Sequence, residues 1–258
     1  MRLISFDPFR SLGMPGVTYI KAELVFAQRE LIDAADWLIF PEYWQVNFLV
    51  YAYKKRIFPS INSYHLGHDK IEMTRAFQAL VPRNVPDTKI LASTPSHCDD
   101  ILDTWIFPFV AKEARSSMGR GVFLIENRHD FSRYAKANSI LYLQEYLPIT
   151  RDLRVVYIGD RVITAYWRQA PIQGFHNNVA QGGTISYADI PNQALQLVDK
   201  VAQGLGINHA GFDVAEVDGQ YYLLEFNTLF GNLGLTEQGI DSGAIIMDYL
   251  RRQTVSDG

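Results

Sequence analysis

The chain has 258 residues, of which 48% are hydrophobic and 20% are charged. This composition supports a substantial buried core and excludes the disordered and fibrous classes of protein. A formal net charge of −4 gives no general attraction to nucleic acid or acidic membranes, so any basic site must be local. The start of the chain has too short an apolar run for a signal peptide, and no window reaches the roughly 20 apolar residues of a membrane span. We therefore expect a cytoplasmic protein.

Changes in hydrophobic period along the chain predict alternating strands and helices, the pattern of an α/β protein. The first sixty residues predict a small βαβ-type unit, with strands at 3–6, 37–40 and 57–59 and helices at 20–34 and 43–54. After them we predict a helix over 70–80, a polar linker over 83–99, a further helix or turn, and a strand over 107–112. The single cysteine, Cys98, excludes an internal disulfide, and its polar neighbours predict a loop position without a functional role.

Two β-hairpins are predicted in the second half of the chain, each around a turn that contains glycine. The first joins strands 153–158 and 161–167, and its two-residue turn would set Arg168 opposite Arg151 and Trp167 opposite Asp152. The second joins strands 211–216 and 221–226 around Asp218 and Gly219. Between the hairpins, apolar residues recur at helical spacing over 191–205, which predicts a helix with one buried face.

Three oxygen-bearing side chains on the second hairpin predict a metal site. Glu225 and Asn227 alternate with apolar neighbours and therefore share a face of their strand. Asp213 falls opposite Glu225 if the turn is effectively three residues long, whereas a strict two-residue turn would put the two carboxylates on opposite faces. Oxygen ligands suit magnesium, which completes its shell with water and substrate phosphates. The alternative is that these are solvated strand residues.

A loop rich in small residues follows the strand that ends at Lys112. Its backbone N–H groups and the residues Ser116, Ser117, Gly119 and Gly121 could surround phosphate oxygens, with Lys112 supplying a positive charge. No helix-opening Gly-Lys-Ser or Gly-Lys-Thr occurs, so the loop is not of the Walker type. A plain surface hairpin is the alternative interpretation.

A further candidate is the apolar strand over 140–148, which contains Gln144, Glu145, Tyr146 and Leu147. Its backbone could hydrogen-bond the edge of an adenine between two lobes, and apolar side chains could enclose the ring.

An arginine cluster is predicted at the open end of the first hairpin, where Arg151, Asp152 and Arg154 meet Arg168. In a chain of negative net charge, such a cluster beside a carboxylate site favours an anionic ligand. An ordinary charged rim is the alternative.

In their order along the chain, these segments resemble the ATP-grasp ligases, most closely the RimK-like ribosomal-protein glutamate ligases and their amino-acid ligase relatives. The resemblance covers about residues 69–250, and the ordered set of motifs is far more specific than any one of them. The motifs are Asp69-Lys70 opening a helix, Lys112 with its loop, Gln144 to Leu147, Asp152-Leu-Arg154, Arg168, Phe175 to Asn178, Gly182-Gly183, Ala210 to Asp213, and Glu225-Phe-Asn227.

The resemblance implies an ATP-grasp fold. Two α+β lobes, about 66–145 and 146–258, would grip ATP behind a short N-terminal α/β domain of residues 1–65. Lys70 and Lys112 would contact the ATP phosphates, as part of a nucleotide site that continues through Gln144 to Leu147 at the adenine and Asp152 at the ribose. Arg168 and Asn178 would be catalytic and contact phosphates or the acyl phosphate, with His176 and Asn177 beside them. Two magnesium ions, which manganese could replace, would bind Asp213, Glu225 and Asn227.

The implied reaction transfers the γ-phosphoryl group of ATP to a carboxylate, and an amine then displaces phosphate to form an amide. The partners would be a small-molecule or peptide carboxylate and an amine or amino acid, without nucleic acid or membrane. Residues 115–121 and 172–184 are candidate lids over the acyl phosphate. The aromatic-rich stretch 37–53 could form a homo-oligomer interface, although core packing explains it equally.

The sequence departs from the close relatives it resembles on the acceptor side. His176 stands where they tend to carry arginine, Ala180 and Gln181 stand where they often have a basic residue, and residues 228–231 lack their common Ser-Pro-Gly. A poly-glutamate acceptor is therefore not implied. A catalytically silent ATP-binding regulatory or scaffold protein and an ATP-grasp kinase are the alternative functions.

Overall fold

The computed structural model describes residues 1–114, 121–169 and 184–256. Within these ranges, three β-sheets follow one another along the chain, and helices pack against them. This arrangement confirms the mixed α/β class, while the bounds of the two domains stay a prediction. No helix in the described ranges combines the length and the apolar character that a membrane crossing requires.

The first sheet is parallel and small. Its strands are β1 (Leu3–Ser5), β2 (Val17–Tyr19), β3 (Trp37–Ile39) and β4 (Ile57–Phe58), in the order β2-β1-β3-β4. Helices α1 (Arg29–Ala34) and α2 (Tyr43–Asn47) accompany it, and a π-helical turn at Phe48–Ala52 continues α2. The helix predicted over 20–34 is wrong in extent, because the chain forms a 3₁₀ turn at Ala22–Leu24 before α1 begins. Ile20, Val25 and Ile32 all reach one core, but from two short pieces rather than one helix.

Helices α3 (Ile61–His68) and α4 (Lys70–Leu80) connect this sheet to the next one. The predicted bounds of α4 are confirmed. The Asp69 side chain caps it by accepting hydrogen bonds from the backbone N–H groups of Ile71 and Glu72.

The second sheet is antiparallel and carries helices on one face. Its strands are β5 (Thr88–Ala92), β6 (Phe109–Lys112), β7 (Val122–Ile125) and β8 (Ile140–Glu145), in the order β5-β8-β6-β7, with helices α5 (Pro95–Thr104) and α6 (Arg128–Ala137). The linker predicted over 83–99 is wrong, since it contains β5 and the start of α5. Thr94 accepts from His97 N–H and Pro95 follows it, which are the start signals of a helix. Cys98 therefore lies in α5 and not in a loop.

The third sheet is antiparallel and has five strands. They are β9 (Arg151–Ile158), β10 (Arg161–Gln169), β11 (Thr184–Ser186), β12 (His209–Val217) and β13 (Gln220–Asn227), in the order β11-β10-β9-β12-β13. One face packs on α4 and on α7 (Asn192–Leu205), with Phe77, Val198 and Phe212 in the same core. Part of the opposite face packs on the first sheet and on α9 (Ser242–Ser256), with α8 (Leu233–Glu237) beside it. The rest of that face carries polar side chains.

The hairpin of β12 and β13 has a two-residue turn and a bulge. Val217 pairs with Gln220 around Asp218 and Gly219, both of which have positive φ, so the expected three-residue turn is wrong. The register then shifts by one residue, because Leu224 is the extra residue of a bulge. Asp213 consequently pairs with Glu225, and the predicted placement of these two carboxylates opposite each other is confirmed.

A bulge also changes the hairpin of β9 and β10. Its turn has two residues as predicted, but the register shifts between Val162 and Thr164. Arg168 therefore lies opposite Asp152, and the predicted pairing of Arg168 with Arg151 and of Trp167 with Asp152 is wrong by one residue. The shift brings a guanidinium directly against a carboxylate.

Candidate active site

A row of charged side chains crosses the polar face of the third sheet. Arg154 of β9 lies opposite Asp213 of β12, which in turn lies opposite Glu225 of β13. Arg168 and Asp152 form the adjacent cross-strand pair on β10 and β9. Since side chains two residues apart share a face, Asp152 and Arg154 point to the same side. Two bulges and four strands thus assemble one polar surface from residues far apart in the sequence.

Two arginines and two aspartates of this row form one ion-pair network. Arg154 donates through Nε to Asp213 Oδ1 at 2.6 Å and through Nη2 to Oδ2 at 3.2 Å. Arg168 donates through Nε and Nη2 to the two oxygens of Asp152, at 2.7 and 2.8 Å. Its Nη2 also lies 3.0 Å from Asp213 Oδ1. Arg168 therefore bridges the two carboxylates.

Burial and charge set the protonation of this network. Burial raises the pKa of Asp152 to about 6, although Arg168 acts in the opposite direction. Burial alone would lower the pKa of Arg168, but Asp213 and Asp152 outweigh it and raise that pKa above its ordinary value. Arg168 stays positively charged and can hold an anion.

Gly211 makes room for the Arg154 side chain. A Cβ at this position would lie 2.7 Å from Arg154 Nη1 and 3.0 Å from the Cβ of Phe230. A side chain at residue 211 would therefore force Arg154 or Phe230 to move. Glycine lets the guanidinium lie against β12 and reach Asp213.

Glu225 is held by a lysine from a different element. Nζ of Lys70, the first residue of α4, lies 2.8 Å from Glu225 Oε2. Burial raises the pKa of Glu225, but Lys70 and Lys112 together outweigh burial and lower it below its ordinary value. Asn227 Nδ2 approaches Glu225 Oε1 at 3.4 Å, so the amide and the carboxylate lie side by side. Glu225 is therefore ionised and faces cations.

Lys112 reaches the same place from the second sheet. It is buried, its Nζ lies 5.7 Å from the centre of the Tyr142 ring, and burial lowers its pKa to about 8. The Tyr142 hydroxyl is 2.7 Å from Thr74 Oγ1 on α4, which joins the second sheet to the elements that carry Lys70. Glu225 and Lys70 are among the charges that shift the Lys112 pKa. Both predicted phosphate-binding lysines are thus brought to Glu225.

The predicted adenine segment runs along the edge of the same region. Gln144 is buried on β8, pairs with Val110, and donates through Nε2 to Thr88 Oγ1 at 3.0 Å. Glu145 Oε1 accepts from the backbone N–H of Asp87 at 2.8 Å. Tyr146 and Leu147 follow the end of β8, exposed and half-buried. Their contact with adenine stays a prediction.

Several predicted nucleotide-site residues lie outside the described residues. These are Ser116, Ser117, Gly119, His176, Asn177 and Asn178. Gly121 is described, has a φ of 73°, and accepts through its carbonyl oxygen from Glu113 N–H at 2.7 Å, closing the base of the loop after Lys112.

Comparison with known proteins identifies the family. The sequence model of the RimK-like ATP-grasp domain matches residues 69–250, which is more than half of the chain. The chain belongs to the RimK-like ATP-grasp family. A curated relative, the probable alpha-L-glutamate ligase of Citrobacter koseri, is 28% identical over 218 residues, which cover 78% of this chain and 72% of the relative.

Two further comparisons concern a second relative and the fold. The ribosomal protein bS6–L-glutamate ligase of Escherichia coli O139:H28 is 27% identical over 217 residues, with 78% of this chain and 72% of the relative covered. A D-alanine–D-alanine ligase from Bacillus anthracis, solved in complex with ATP, superposes with a TM-score of 0.73 at 13% identity, and both chains are covered completely. The family, the ATP-grasp fold and the enzyme class predicted from the sequence, an ATP-dependent carboxylate–amine ligase, are confirmed.

The carboxylates of this ATP-grasp site suit magnesium. Two carboxylates from directly opposed strands and a neighbouring amide, Asp213, Glu225 and Asn227, provide oxygen donors only. This set has only two carboxylates, and no group of three or more His, Cys, Asp and Glu side chains that could hold a metal ion occurs anywhere in the described ranges. A site with few protein ligands is typical of magnesium, which takes its remaining ligands from phosphates and water.

Sequence reasoning gave no separate role to three residues that build this ATP-grasp site. Arg154 is the main partner of Asp213, while Tyr142 and Thr74 join the second sheet to α4. The two-residue spacing of Arg154 from Asp152 was the available signal, since it places both on one face of a strand. The role of Asp152 at the ribose stays a prediction. In the structure both oxygens of its carboxylate accept hydrogen bonds from Arg168.

Proposed function

We propose that this ATP-grasp ligase joins an amino acid, through its amine, to a small-molecule or peptide carboxylate. The observation that carries the proposal is the convergence of Lys70, Lys112 and Arg168 on two facing carboxylates at the junction of two sheets. Such a set can hold the polyphosphate of ATP and the charge that develops during phosphoryl transfer. The glutamate ligases among the relatives make L-glutamate the first amine to test.

The proposed reaction has two steps. An oxygen of the substrate carboxylate attacks the γ-phosphorus of ATP, the bond to the bridging oxygen breaks, and ADP leaves. The uncharged amine nitrogen then attacks the acyl carbon, the bond from that carbon to the phosphate oxygen breaks, inorganic phosphate leaves, and the nitrogen releases one proton to the phosphate or to water as the amide forms.

The residues of the chain act by position and charge. Lys70 and Lys112 bind phosphate oxygens, and Arg168 holds the oxygens of the transferred phosphoryl group. Asp152 fixes the plane of the Arg168 guanidinium through two hydrogen bonds. Magnesium held by Asp213, Glu225 and Asn227 would supply further charge neutralisation on the phosphates. We propose two ions at this site, with manganese able to replace magnesium.

A matched pair of variants tests the proposal. ADP release is measured with ATP, magnesium and a panel of acids and amines, namely L-glutamate, Glu-Glu, L- and D-alanine and succinate, alone and in pairs. Glu225→Gln removes the carboxylate charge that would bind the metal ion and that pairs with Lys70, and it should lower substrate-dependent ADP release by about 100-fold. Glu216→Gln, on the same hairpin near its turn, should leave the rate unchanged. Asp213→Ala should abolish turnover as well.

The outcomes separate the alternatives. Equal rates for Glu225→Gln and the wild type would refute the assigned site. A wild-type protein that binds ATP but releases no ADP with any pair in the panel would refute the ligase proposal and favour a silent nucleotide-binding protein. Binding of Mn²⁺, followed by electron paramagnetic resonance with and without ADP, counts the ions independently of turnover.

A further inference from the structure

Tyr166 is a buried tyrosine on the polar face of the third sheet. Only 5% of its surface is exposed, and its strand register places it directly opposite Arg154. In the described part of the chain, its hydroxyl has no hydrogen-bond partner. A buried hydroxyl without a partner is costly, by about 1–3 kcal/mol, and usually marks a place where water or a ligand binds.

Three of the other four tyrosines buried to this degree form a hydrogen bond within the described ranges. Tyr64 donates to Pro41 O, Tyr134 donates to Lys112 O, and the Tyr142 hydroxyl is bonded to that of Thr74. Tyr166 differs from these three, and it lies in the same row of the sheet as the charged side chains of the candidate site.

Neighbouring elements fix the ring of Tyr166. An added Cβ on Gly234 would lie 2.2 Å from Cε1 of Tyr166, so the ring lies flat against the start of α8. It also makes an edge-to-face contact with the Tyr187 ring, with 5.8 Å between the ring centres. Tyr187, by contrast, donates to Glu237 and to the carbonyl oxygen of Gly234. Within the described ranges, packing of the ring and not a hydrogen bond of its own thus positions the Tyr166 hydroxyl.

Charged side chains of the site lie close enough to this hydroxyl to shift its pKa. Burial raises the pKa of Tyr166, while Arg154 and Arg168 lower it and Asp213 and Asp152 raise it, so the hydroxyl keeps its proton at neutral pH. It can therefore donate a hydrogen bond. The cross-strand neighbours Tyr166, Arg154 and Asp213 are about 5 Å apart from one strand to the next. Tyr166 and Arg168 are two residues apart on one strand and share its face, so a carboxylate bound by Arg168 would lie beside the Tyr166 side chain.

We propose that the Tyr166 hydroxyl donates a hydrogen bond to the carboxylate that is activated, and then to the same oxygen atoms in the acyl phosphate. This inference rests on the proposed ligase function and deepens it, because it names a residue of the carboxylate site. Tyr166 lies between the arginines and the part of the sheet that packs on the first sheet, so it would border the carboxylate site on that side.

Tyr166→Phe tests the inference, with Tyr187→Phe as the matched control. Both variants keep the ring and lose one hydroxyl, but among the residues that the structure describes only the Tyr187 hydroxyl has protein partners. ADP release is measured at saturating ATP and magnesium with the acids of the panel above. In Tyr166→Phe, kcat/KM for the acid should fall about 10- to 100-fold, while KM for ATP stays within twofold. Tyr187→Phe should leave both constants unchanged.

Two further measurements do not depend on turnover. Affinity for the most active acid, measured calorimetrically with a non-hydrolysable ATP analogue and magnesium, should fall by a similar factor in Tyr166→Phe. The melting temperature of the empty variant should equal or exceed that of the wild type, because an unpartnered polar group is removed.

The outcomes are distinct. An unchanged kcat/KM and acid affinity in Tyr166→Phe would overturn the inference and leave a bound water as the partner of the hydroxyl, with wild-type turnover and the ligase proposal intact. A loss shared equally by the ATP and acid constants, together with a lower melting temperature, would show a purely structural role. No ADP release by the wild type with any acid would remove the ligase proposal, and the role of Tyr166 with it.

Discussion

Replacing Arg168 by methionine removes the guanidinium that bridges Asp152 and Asp213 while keeping the length of the side chain. Asp213 retains Arg154 as its partner, but Asp152 loses both of its hydrogen bonds. An unpaired buried carboxylate takes up a proton when this is less costly than staying charged. The penalty of the substitution therefore depends on pH.

The size of the effect follows from the pKa of Asp152. That pKa is about 6 with Arg168 present and rises further without it. The unfolded chain has an aspartate pKa near 3.9, so the folded variant holds a proton that the unfolded chain releases, and its stability falls as pH rises. In the wild type this carboxylate is already ionised above pH 6, which gives no such slope. The stability gap should thus widen above pH 6 with a slope that approaches about 1.4 kcal/mol per pH unit, and between pH 6 and pH 8 it should increase by about 2.3 kcal/mol, because Asp152 of the wild type is half protonated at pH 6.

Urea unfolding of the nucleotide-free proteins at pH 6, 7 and 8 measures this gap. Arg133→Met is the control, since Arg133 pairs with Asp130 but its side chain is 70% exposed. Its gap from the wild type should be small and independent of pH. The reasoning is refuted if Arg168→Met is destabilised equally at all three pH values, because Asp152 would then not be the group that responds.

Two further predictions concern neighbouring residues. Because the pKa of Lys112 is lowered to about 8, its ammonium loses its proton above that pH. ATP affinity, measured by fluorescence titration, should therefore be constant below pH 8 and fall by up to tenfold per pH unit above it. Lys112→Arg should show no such fall between pH 8 and 9.5, because arginine stays charged there. Gly211→Ala places a Cβ against Arg154 and should lower the free energy of unfolding, measured by thermal denaturation, by about 1–3 kcal/mol. At Gly231 an added Cβ would have no neighbour within 4 Å, so Gly231→Ala should have little effect. Equal losses of stability in the two variants would contradict the packing argument.

Periodic and locally signalled elements could be predicted from the sequence. Helix α4 has one buried face and a capping aspartate, so its bounds agree with the prediction. Strand β5 could not be found in this way, because its residues are only partly buried and it owes its conformation to pairing with β8. Pairing between distant strands leaves little trace in local sequence.

The residues of the candidate metal site could be predicted from the sequence, but the strand register that brings them together could not. Glu225 and Asn227 alternate visibly on their strand, and the facing of Asp213 and Glu225 could be stated as a requirement. The structure meets it through a bulge at Leu224 instead of a longer turn. A bulge adds a residue without a distinctive sequence, and a second one near Ile163 shifted the partner of Arg168 in the same way.

The short contact between Lys70 and Glu225 has a consequence for how nucleotide and metal bind together. In the ion pair, Lys70 blocks the carboxylate that a cation would bind, and Glu225 blocks the ammonium that a phosphate would bind. A cation that binds Glu225 frees the ammonium of Lys70, and a phosphate that binds Lys70 frees the carboxylate. Nucleotide and cation should therefore raise one another's affinity by the same factor, as linkage requires. Breaking the ion pair costs free energy once, and whichever ligand binds first makes the second bind more tightly.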